Sequence, residues 1–341
     1  MTLVNTMTGA YFGQDAMNAF MLIVRDPLVE IDTDKYPQTT FSANGECLWS
    51  AGGDKIRMWR VEDGKQIATM KASHVECLAV SPDGKWIAAG TYYSSVFVWN
   101  AKTCERVLYH DEECHPRVKD VNFSPDSTRL IAAFHSSDRG SKLHAPFTIL
   151  DIATCTRVLT LGHYPLDIVT AKYSVQGDRI ATVARDSVQV WDSSDGCLLL
   201  DIKVGELSRF STCRLLPFDN HLTLASSNKI RQIDAYTGST NFELPLPDSS
   251  EASCIALPQH AEFLAYSTHY AVAFWDTSTR AQLARSLIRH TPSHFMSTIS
   301  SIAVSPNGQF LAIGESEGRV TIKSLSRDVT ASICLVRFLC I

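Results

Sequence analysis

The sequence predicts an all-β fold made of seven radially arranged, four-stranded antiparallel units. Three observations carry that expectation. A turn marker recurs after alternating apolar runs, at FSANG (Ser42), VSPDG (Ser81), FSPDS (Ser124), YSVQG (Ser174), LLPFD (Leu216), ALPQH (Leu257) and VSPNG (Ser305). A second β-like run closes 17, 18, 26, 17, 17, 18 and 18 residues later, at Trp59, Trp99, Leu150, Trp191, Ile233, Trp275 and Lys323. From that position to the next marker the spacings are 22, 25, 24, 25, 24 and 30 residues, so a unit of about 40 residues repeats around a ring.

Each unit reads as four strands. In the second, VECLAV ends at the SPDG turn, WIAA follows, then VFVW, and after the polar link NAKTC comes ERVLY. Pro suits the first central turn position, and Asp or Asn with Gly suits the next ones. The first unit's KIRMWRVEDG (55–64) matches the fifth unit's KIRQIDAYTG (229–238), and SVQVWDSSDG, AVAFWDTSTR and the weaker GRVTIKSLSR are further copies. Near-continuous apolar runs fit strands buried on both faces between neighbouring units. The phrase TCERVL (103–108) returns as TCTRVL (154–159), marking the link and the start of the outermost strand in units two and three.

The Trp-Asp pairs at 191–192 and 275–276, their variants at 59, 99, 150 and 233, and the SPDG-like turns make the chain resemble the WD40 repeat family over roughly residues 36–325. That resemblance implies a seven-bladed β-propeller. It also implies a folding network of a loop His, a strand Ser or Thr, a turn Asp and the Trp. Unit four has the whole set in His163, Thr182, Asp186 and Trp191. Unit one has Ser50, Asp54 and Trp59 without the His, and unit two has His74 and Trp99 with Ser94 in the Asp position. Such propellers complete the last blade with a strand from the other terminus. AFMLIV (19–24) and VTASICLV (329–336) could each supply it, and the N-terminal one is preferred. The chain therefore divides into an N-terminal segment (1–35), the propeller (36–325) and an apolar tail (326–341).

Composition narrows the function. Apolar residues make 45% of the chain and charged ones 20%, with formal charge -5, which describes a soluble globular protein without the basic surplus that nucleic-acid binding needs. The segment before Asp26 holds only Arg25 as a cation, and the apolar run at 333–341 contains Arg337. No secretory leader, membrane span or membrane partner is expected, and the expected compartment is the cytoplasm, with the nucleus as the other. Ten cysteines in 341 residues are read as small packing residues. Phosphate-loop, metalloprotease and dinucleotide motifs are missing from the sequence, and no catalytic residue or cofactor is expected. The sequon at Asn122 falls on an inner strand, and Lys55, Arg57, Lys229 and Arg231 are read as strand residues lying between blades.

Loop lengths point to one face. In a propeller the blade-to-blade loops and the turns between second and third strands open together. The longest such segments are HDEECHPR (110–117), HSSDRGSKLHAP (135–146) and RHTPSHFMST (289–298). Nine of the eleven histidines are placed there: His74, His110, His115, His135, His144, His163, His269, His290 and His294. The expected interaction patch is His110, Asp111, Glu112, Glu113, His115, Arg117, His135, Asp138, Arg139, Lys142 and His144. The His110–His115 run holds metal-binding residue types, but consecutive residues on one loop rarely converge, so no metal is expected. The expected function is a non-catalytic platform for a protein or peptide not identified by sequence. The alternatives are a small-ligand or enzymatic site at the channel mouth, and a sensor module similar to the propellers of fungal immune-like receptors.

Overall fold

The computed structural model describes residues 22–111, 117–135, 147–161, 170–183, 187–203, 214–215, 221–225, 229–245, 254–256, 263–267, 271–276, 282–287 and 298–327. Its strands form seven separate four-stranded antiparallel sheets. Blade 1 contains β2 (Gln38–Phe41), β3 (Cys47–Gly52), β4 (Lys55–Arg60) and β5 (Gln66–Lys71), in that order from the inside out. Blade 2 follows with β6 (Val75–Val80), β7 (Trp86–Thr91), β8 (Ser95–Asn100) and β9 (Arg106–Asp111). Blade 3 has β10 (Arg117–Phe123), β11 (Arg129–His135), β12 (Phe147–Asp151) and β13 (Thr156–Leu161). Blade 4 has β14 (Thr170–Tyr173), β15 (Arg179–Val183), β16 (Ser187–Asp192) and β17 (Leu198–Lys203). In blade 5 the strands are β18 (Arg214–Leu215), β19 (His221–Ala225), β20 (Lys229–Asp234) and β21 (Thr240–Pro245). In blade 6 they are β22 (Cys254–Ala256), β23 (Phe263–Ser267), β24 (Ala271–Asp276) and β25 (Gln282–Leu287).

Blade 7 joins the two ends of the described chain. Its β26 (Ile299–Val304), β27 (Phe310–Glu315) and β28 (Arg319–Arg327) are completed on the outside by β1 (Leu22–Asp32). β1 runs antiparallel to β28 from Leu22 opposite Arg327 to Asp32 opposite Arg319, with register shifts on both sides of Pro27. It starts within the 19–24 run but lies mostly beyond it, and the tail after residue 327 is outside the described residues. The loop after β1 fastens the seam further. Thr33 N donates to Gly318 O and Tyr36 N to Ser316 O, and the Ser301 hydroxyl donates to Pro37 O at 2.7 Å.

Apolar clusters sit between blades. One combines Ala88, Val96 and Val98 of blade 2 with Val118, Leu130 and Phe134 of blade 3. Another joins Ile31, Ala312, Val320 and Ile322 of blade 7 to Phe41, Leu48 and Trp59 of blade 1. Each middle strand is thus covered on both faces, which is why β7, β11, β23 and β27 are buried almost throughout. Among the described residues no helix is long and apolar enough to cross a membrane.

Two repeated turns explain the sequence markers. In the marker turn the Ser hydroxyl donates to the acid or amide two or four residues on and accepts the strand-opening amide five residues on. Examples are Ser81 to Asp83 (2.6 Å) with Trp86 N (2.9 Å), and Ser305 to Asn307 (2.7 Å) with Phe310 N (2.9 Å). After the Trp position, Asn100, Asp151, Asp192 or Asp234 accepts backbone amides of the next link through its side chain. That link closes on a left-handed residue: Gly64 (φ 68°), Cys104 (φ 60°), Cys155 (φ 55°), Gly196 (φ 76°) and Gly238 (φ 72°). The two TC cysteines therefore hold positions that other blades give to glycine.

Candidate functional site

The face that carries the turns between second and third strands is built up by backbone contacts across blades 1 and 2. The turn between β3 and β4 meets the loop between β5 and β6, with Ala72 N donating to Asp54 O and His74 N to Gly53 O. That loop in turn receives Tyr92 N on His74 O at 2.9 Å. His74 and Ser94 both adopt positive φ, 55° and 67°, which folds each link tightly enough to bring the neighbours together. A row of rings results. His74 and Tyr93 meet edge to face at 5.0 Å and Tyr93 meets Tyr92 likewise at 5.2 Å. The Arg117 guanidinium covers the Tyr92 ring at 3.8 Å and also donates to its hydroxyl at 2.6 Å. Tyr93 remains 55% exposed and Tyr36, in the preceding blade-to-blade loop, 65%.

Below this row the inner strands line a central channel of about 500 Å³. Among the described residues, charged side chains of the inner strands pair between neighbouring blades. Lys119 of β10 contacts Glu76 of β6 at 2.6 Å, with Arg117 4.0 Å from the same carboxylate. Lys172 of β14 lies 3.0 Å from Asp120 of β10, which also accepts Thr170 Oγ1 at 2.5 Å and Ala171 N at 3.3 Å. Both carboxylate oxygens of Asp120 are thus engaged by donors of the next blade. Cys77 and Cys254, also on the channel, donate to Val118 O and Ser300 O. Burial pushes the Cys104 thiol up, and burial followed by Glu46 does so for Cys47. A hydrogen bond with Asp195, then its charge, raises Cys197. These thiols stay protonated at neutral pH, which disfavours nucleophilic chemistry.

The expected residues fall unevenly on this geometry. Thr182 and Trp191 meet as the resemblance implies, Trp191 Nε1 donating to Thr182 Oγ1 at 2.9 Å, while His163 and Asp186 lie outside the described residues. Blade 1 has the same bond from Trp59 Nε1 to Ser50 Oγ at 2.8 Å, and Asp54 finds a histidine after all: His74, from the loop entering blade 2, at 4.0 Å. In blade 2 the hydroxyl position is Gly90, where any Cβ would lie 2.3 Å from Val118 Cγ1.

Of the patch, His110 and Asp111 are the last two residues of β9, His135 ends β11, Asp111 accepts from the Ser94 hydroxyl and Arg117 covers Tyr92; the two histidines are strand residues rather than loop residues. Glu112, Glu113, His115, Asp138, Arg139, Lys142 and His144 lie outside the described residues, as do His269, His290 and His294. Two further expectations need correction. Of the six described cysteines only Cys77 and Cys254 are buried, and Cys155 and Cys197 are exposed, because the link positions that they occupy lie at the rim. Three of the four strand cations make ion pairs: Arg57 with Asp34 at 2.8 Å, and Lys229 and Arg231 with Glu243 at 3.2 and 2.5 Å. Tyr92, Tyr93 and Glu76 were missed in the sequence. The available signal was TYYSS, a hairpin tip with two aromatic residues where a polar turn is expected.

The family model for the WD domain, G-beta repeat, matches residues 64–100 and 285–322, which span parts of blades 1, 2, 6 and 7. The chain is a seven-bladed β-propeller in which two segments match the WD40 repeat. It is similar to eukaryotic translation initiation factor 3 subunit I of Aspergillus oryzae, 23% identical over 315 residues that cover 84% of this chain and 90% of that protein. Among solved structures it resembles the β-propeller domain of Cps50 (Swd1) from Myceliophteria thermophila, with a TM-score of 0.73 and 15% identity, covering 88% of this chain and 99% of that one. Hydrazine synthase of Kuenenia stuttgartiensis superposes equally well, with a TM-score of 0.73 and 16% identity over 87% of this chain and 98% of that one. At such identities the two structures speak for the fold alone. One carries the name of a synthase, so function has to be argued from the site.

Proposed function

We propose that this WD40-type propeller is a non-catalytic interaction platform that binds a protein or peptide on the face carrying Tyr36, His74, Tyr92, Tyr93 and Arg117. The observation that supports it is the gathering of exposed tyrosines and an arginine, the side chains most often found as interface anchors, on a rigid hairpin tip beside the channel mouth. The lower-face turns differ: they are closed by their own Ser, Asp and Asn side chains. The sequence-expected patch adjoins this row through Asp111 and Arg117, and the segment 136–146 extends the same proposal. Pairing of Glu76 and Asp120 with lysines argues against acid–base chemistry in the channel. Among the described residues no group of three or more His, Cys, Asp or Glu side chains could hold a metal.

Quantitative affinity capture from cell extract tests this reading. Tyr92→Ala/Tyr93→Ala is compared with wild type and with Tyr236→Ala, whose ring lies in the link after β20 on the opposite face. The double variant is expected to lose specific proteins that both others retain. Identical recovery from all three baits overturns the reading.

A further inference from the structure

We propose that Asn44 is a deamidation site held closed by its own marker turn, and that its conversion to aspartate weakens the contact between blades 1 and 7. The inference is independent of the binding face. Asn44 and Asn307 are each followed by glycine, and the two Asn-Gly turns meet where the ring closes: a Cβ at Gly45 would lie 3.6 Å from Ser305 Cβ and 3.8 Å from the Asn307 amide. Asparagine before glycine is the pair most open to deamidation, because no side chain hinders the glycine nitrogen.

The chemistry needs only water. The Gly45 nitrogen gives up its proton to solvent and attacks Asn44 Cγ. The N–Cγ bond forms as Cγ–Nδ2 breaks, and Nδ2 leaves as ammonia with a proton from solvent. Water then adds to either carbonyl of the five-membered imide and opens it, to aspartate or to isoaspartate, with no change of oxidation state.

The groups that take part in that step are engaged in the folded turn. Gly45 N donates to Ser42 O at 2.9 Å, Asn44 Oδ1 accepts Ser42 Oγ at 2.6 Å and Glu46 N at 3.2 Å, and Asn44 Nδ2 donates to Glu46 Oε2 at 2.7 Å. Gly45 is buried although Asn44 is exposed. The nitrogen is thus withheld from Cγ until the turn opens, and the reaction draws on the fraction of molecules in which it has done so.

What the product does follows from the residue two positions on. Blade 2 has aspartate in the same turn, with Lys85 Nζ 3.1 Å from Asp83 Oδ2, and blade 3 has Asp126, which accepts Thr128 Oγ1 at 2.9 Å. Both of those partners are donors. The two asparagine turns have acceptors instead: Glu46 beside Asn44, and Gln309, whose Oε1 accepts Asn307 Nδ2 at 3.0 Å. Deamidation of Asn307 is tolerated, because Gln309 can turn its amide and donate to the new carboxylate. Deamidation of Asn44 sets a second carboxylate against Glu46, in a turn that packs on blade 7. Isoaspartate lengthens the main chain by one carbon and misplaces the buried Gly45.

The test is peptide mapping by mass spectrometry of the full chain, incubated in mildly alkaline buffer. Urea-unfolded chain is expected to convert at both sites about tenfold faster than folded chain, or more. Ser42→Ala is expected to raise folded-state conversion at Asn44 by about tenfold and to leave Asn307 unchanged, which separates release of this turn from general unfolding. Asn44→Asp is expected to lower the urea midpoint clearly more than Asn307→Asp, with Glu46→Gln restoring most of the loss. Equal conversion of Asn44 in folded and unfolded chain overturns the inference, as does a Ser42→Ala effect that is absent or shared by Asn307. An Asn44→Asp midpoint that matches that of Asn307→Asp, or that Glu46→Gln does not move, overturns the claim on the blade contact.

Discussion

Gly64→Ala is the sharpest probe of how this ring is closed. Gly64 sits in the link after β4 with φ at 68°, and an added Cβ would meet Val29 Cγ1 at 2.3 Å, with Val29 Cβ at 3.6 Å and Ile31 Cγ1 at 3.7 Å. Two costs arise. Left-handed backbone disfavours alanine against glycine by about 1–2 kcal/mol, and forcing a methyl into a filled contact costs about 1–3 kcal/mol more. Val29 is β-branched and stiff about χ1, so the clash is relieved by moving β1, the strand that completes blade 7. Gly238→Ala is the internal control: its φ is 72°, but the nearest atom to its Cβ is Ile202 Cγ1 at 3.1 Å, so it bears mainly the backbone cost. Urea unfolding is expected to show Gly64→Ala losing about 2–5 kcal/mol, clearly more than Gly238→Ala. Adding Val29→Ala should recover the steric part in a double-mutant cycle. Equal losses at positions 64 and 238, together with no coupling to Val29, refute this account of the seam.

Three further expectations concern the blades. Ser50→Ala and Thr182→Val each strip a hydroxyl acceptor from a buried Trp N–H, and each should lower stability by about 1–3 kcal/mol in denaturant titration. Asp83 and Asp126 lie below the usual carboxylate range. Burial works against their charge, but the hydroxyls of Ser81 and Ser124 and the amides of Lys85 and Thr128 outweigh it. Their contribution is therefore complete above the ordinary carboxylate pKa and fades as pH falls through the lowered values. Asn44 and Asn307 fill the same role without titrating, so Asp83→Asn/Asp126→Asn should keep the pH 7 midpoint and lose less between pH 5 and about pH 3 than wild type. Tyr173 is 3% exposed and its hydroxyl has no hydrogen-bond partner in the described structure, so Tyr173→Phe should gain about 1 kcal/mol. Burial, with Asp126 adding to it against Arg129, drives that phenol far above its ordinary pKa. Wild type should therefore lose stability as pH rises past about 10, where the unfolded phenol ionises, and the Phe variant should lose less.

The ring was legible in the sequence because blade geometry repeats its chemistry. A marker Ser, a buried Trp nine residues after a hydroxyl and a capping Asp each answer a local need for hydrogen bonds, and local needs recur at fixed spacing. β1 was harder to place. Pro27 and its register shifts interrupt the strand, so the apolar run at 19–24 stood out more than the alternating residues that pair with β28. The ring row on the upper face was legible only in part, since His74 and Arg117 were expected on this face and Tyr92 and Tyr93 were not. Tyr92, Tyr93, His74 and Arg117 come from two blades, and only the tight φ of His74 and Ser94 turns three loop tips into one surface. The histidine beside Asp54 was missed for the same reason, since His74 enters with the following unit.

That distinction between repeated and unrepeated residues also locates function. The TC phrase recurs, but its cysteines fill a left-handed link position that Gly64, Gly196 and Gly238 fill elsewhere, and Cys155 Sγ rests on Val107 O of the preceding blade. Recurrence there reports a packing requirement shared by the blades. A binding feature need not recur, because a partner meets only one sector of the ring. The two tyrosines of the β7–β8 tip stand where the β3–β4 hairpin has Gly52 and Gly53, and beyond the Tyr92–Arg117 contact they leave an exposed aromatic pair on the surface. Replacing both with Gly-Gly should therefore lower the unfolding midpoint only slightly while abolishing capture of partners. A large loss of stability on that exchange would reassign the pair to the scaffold.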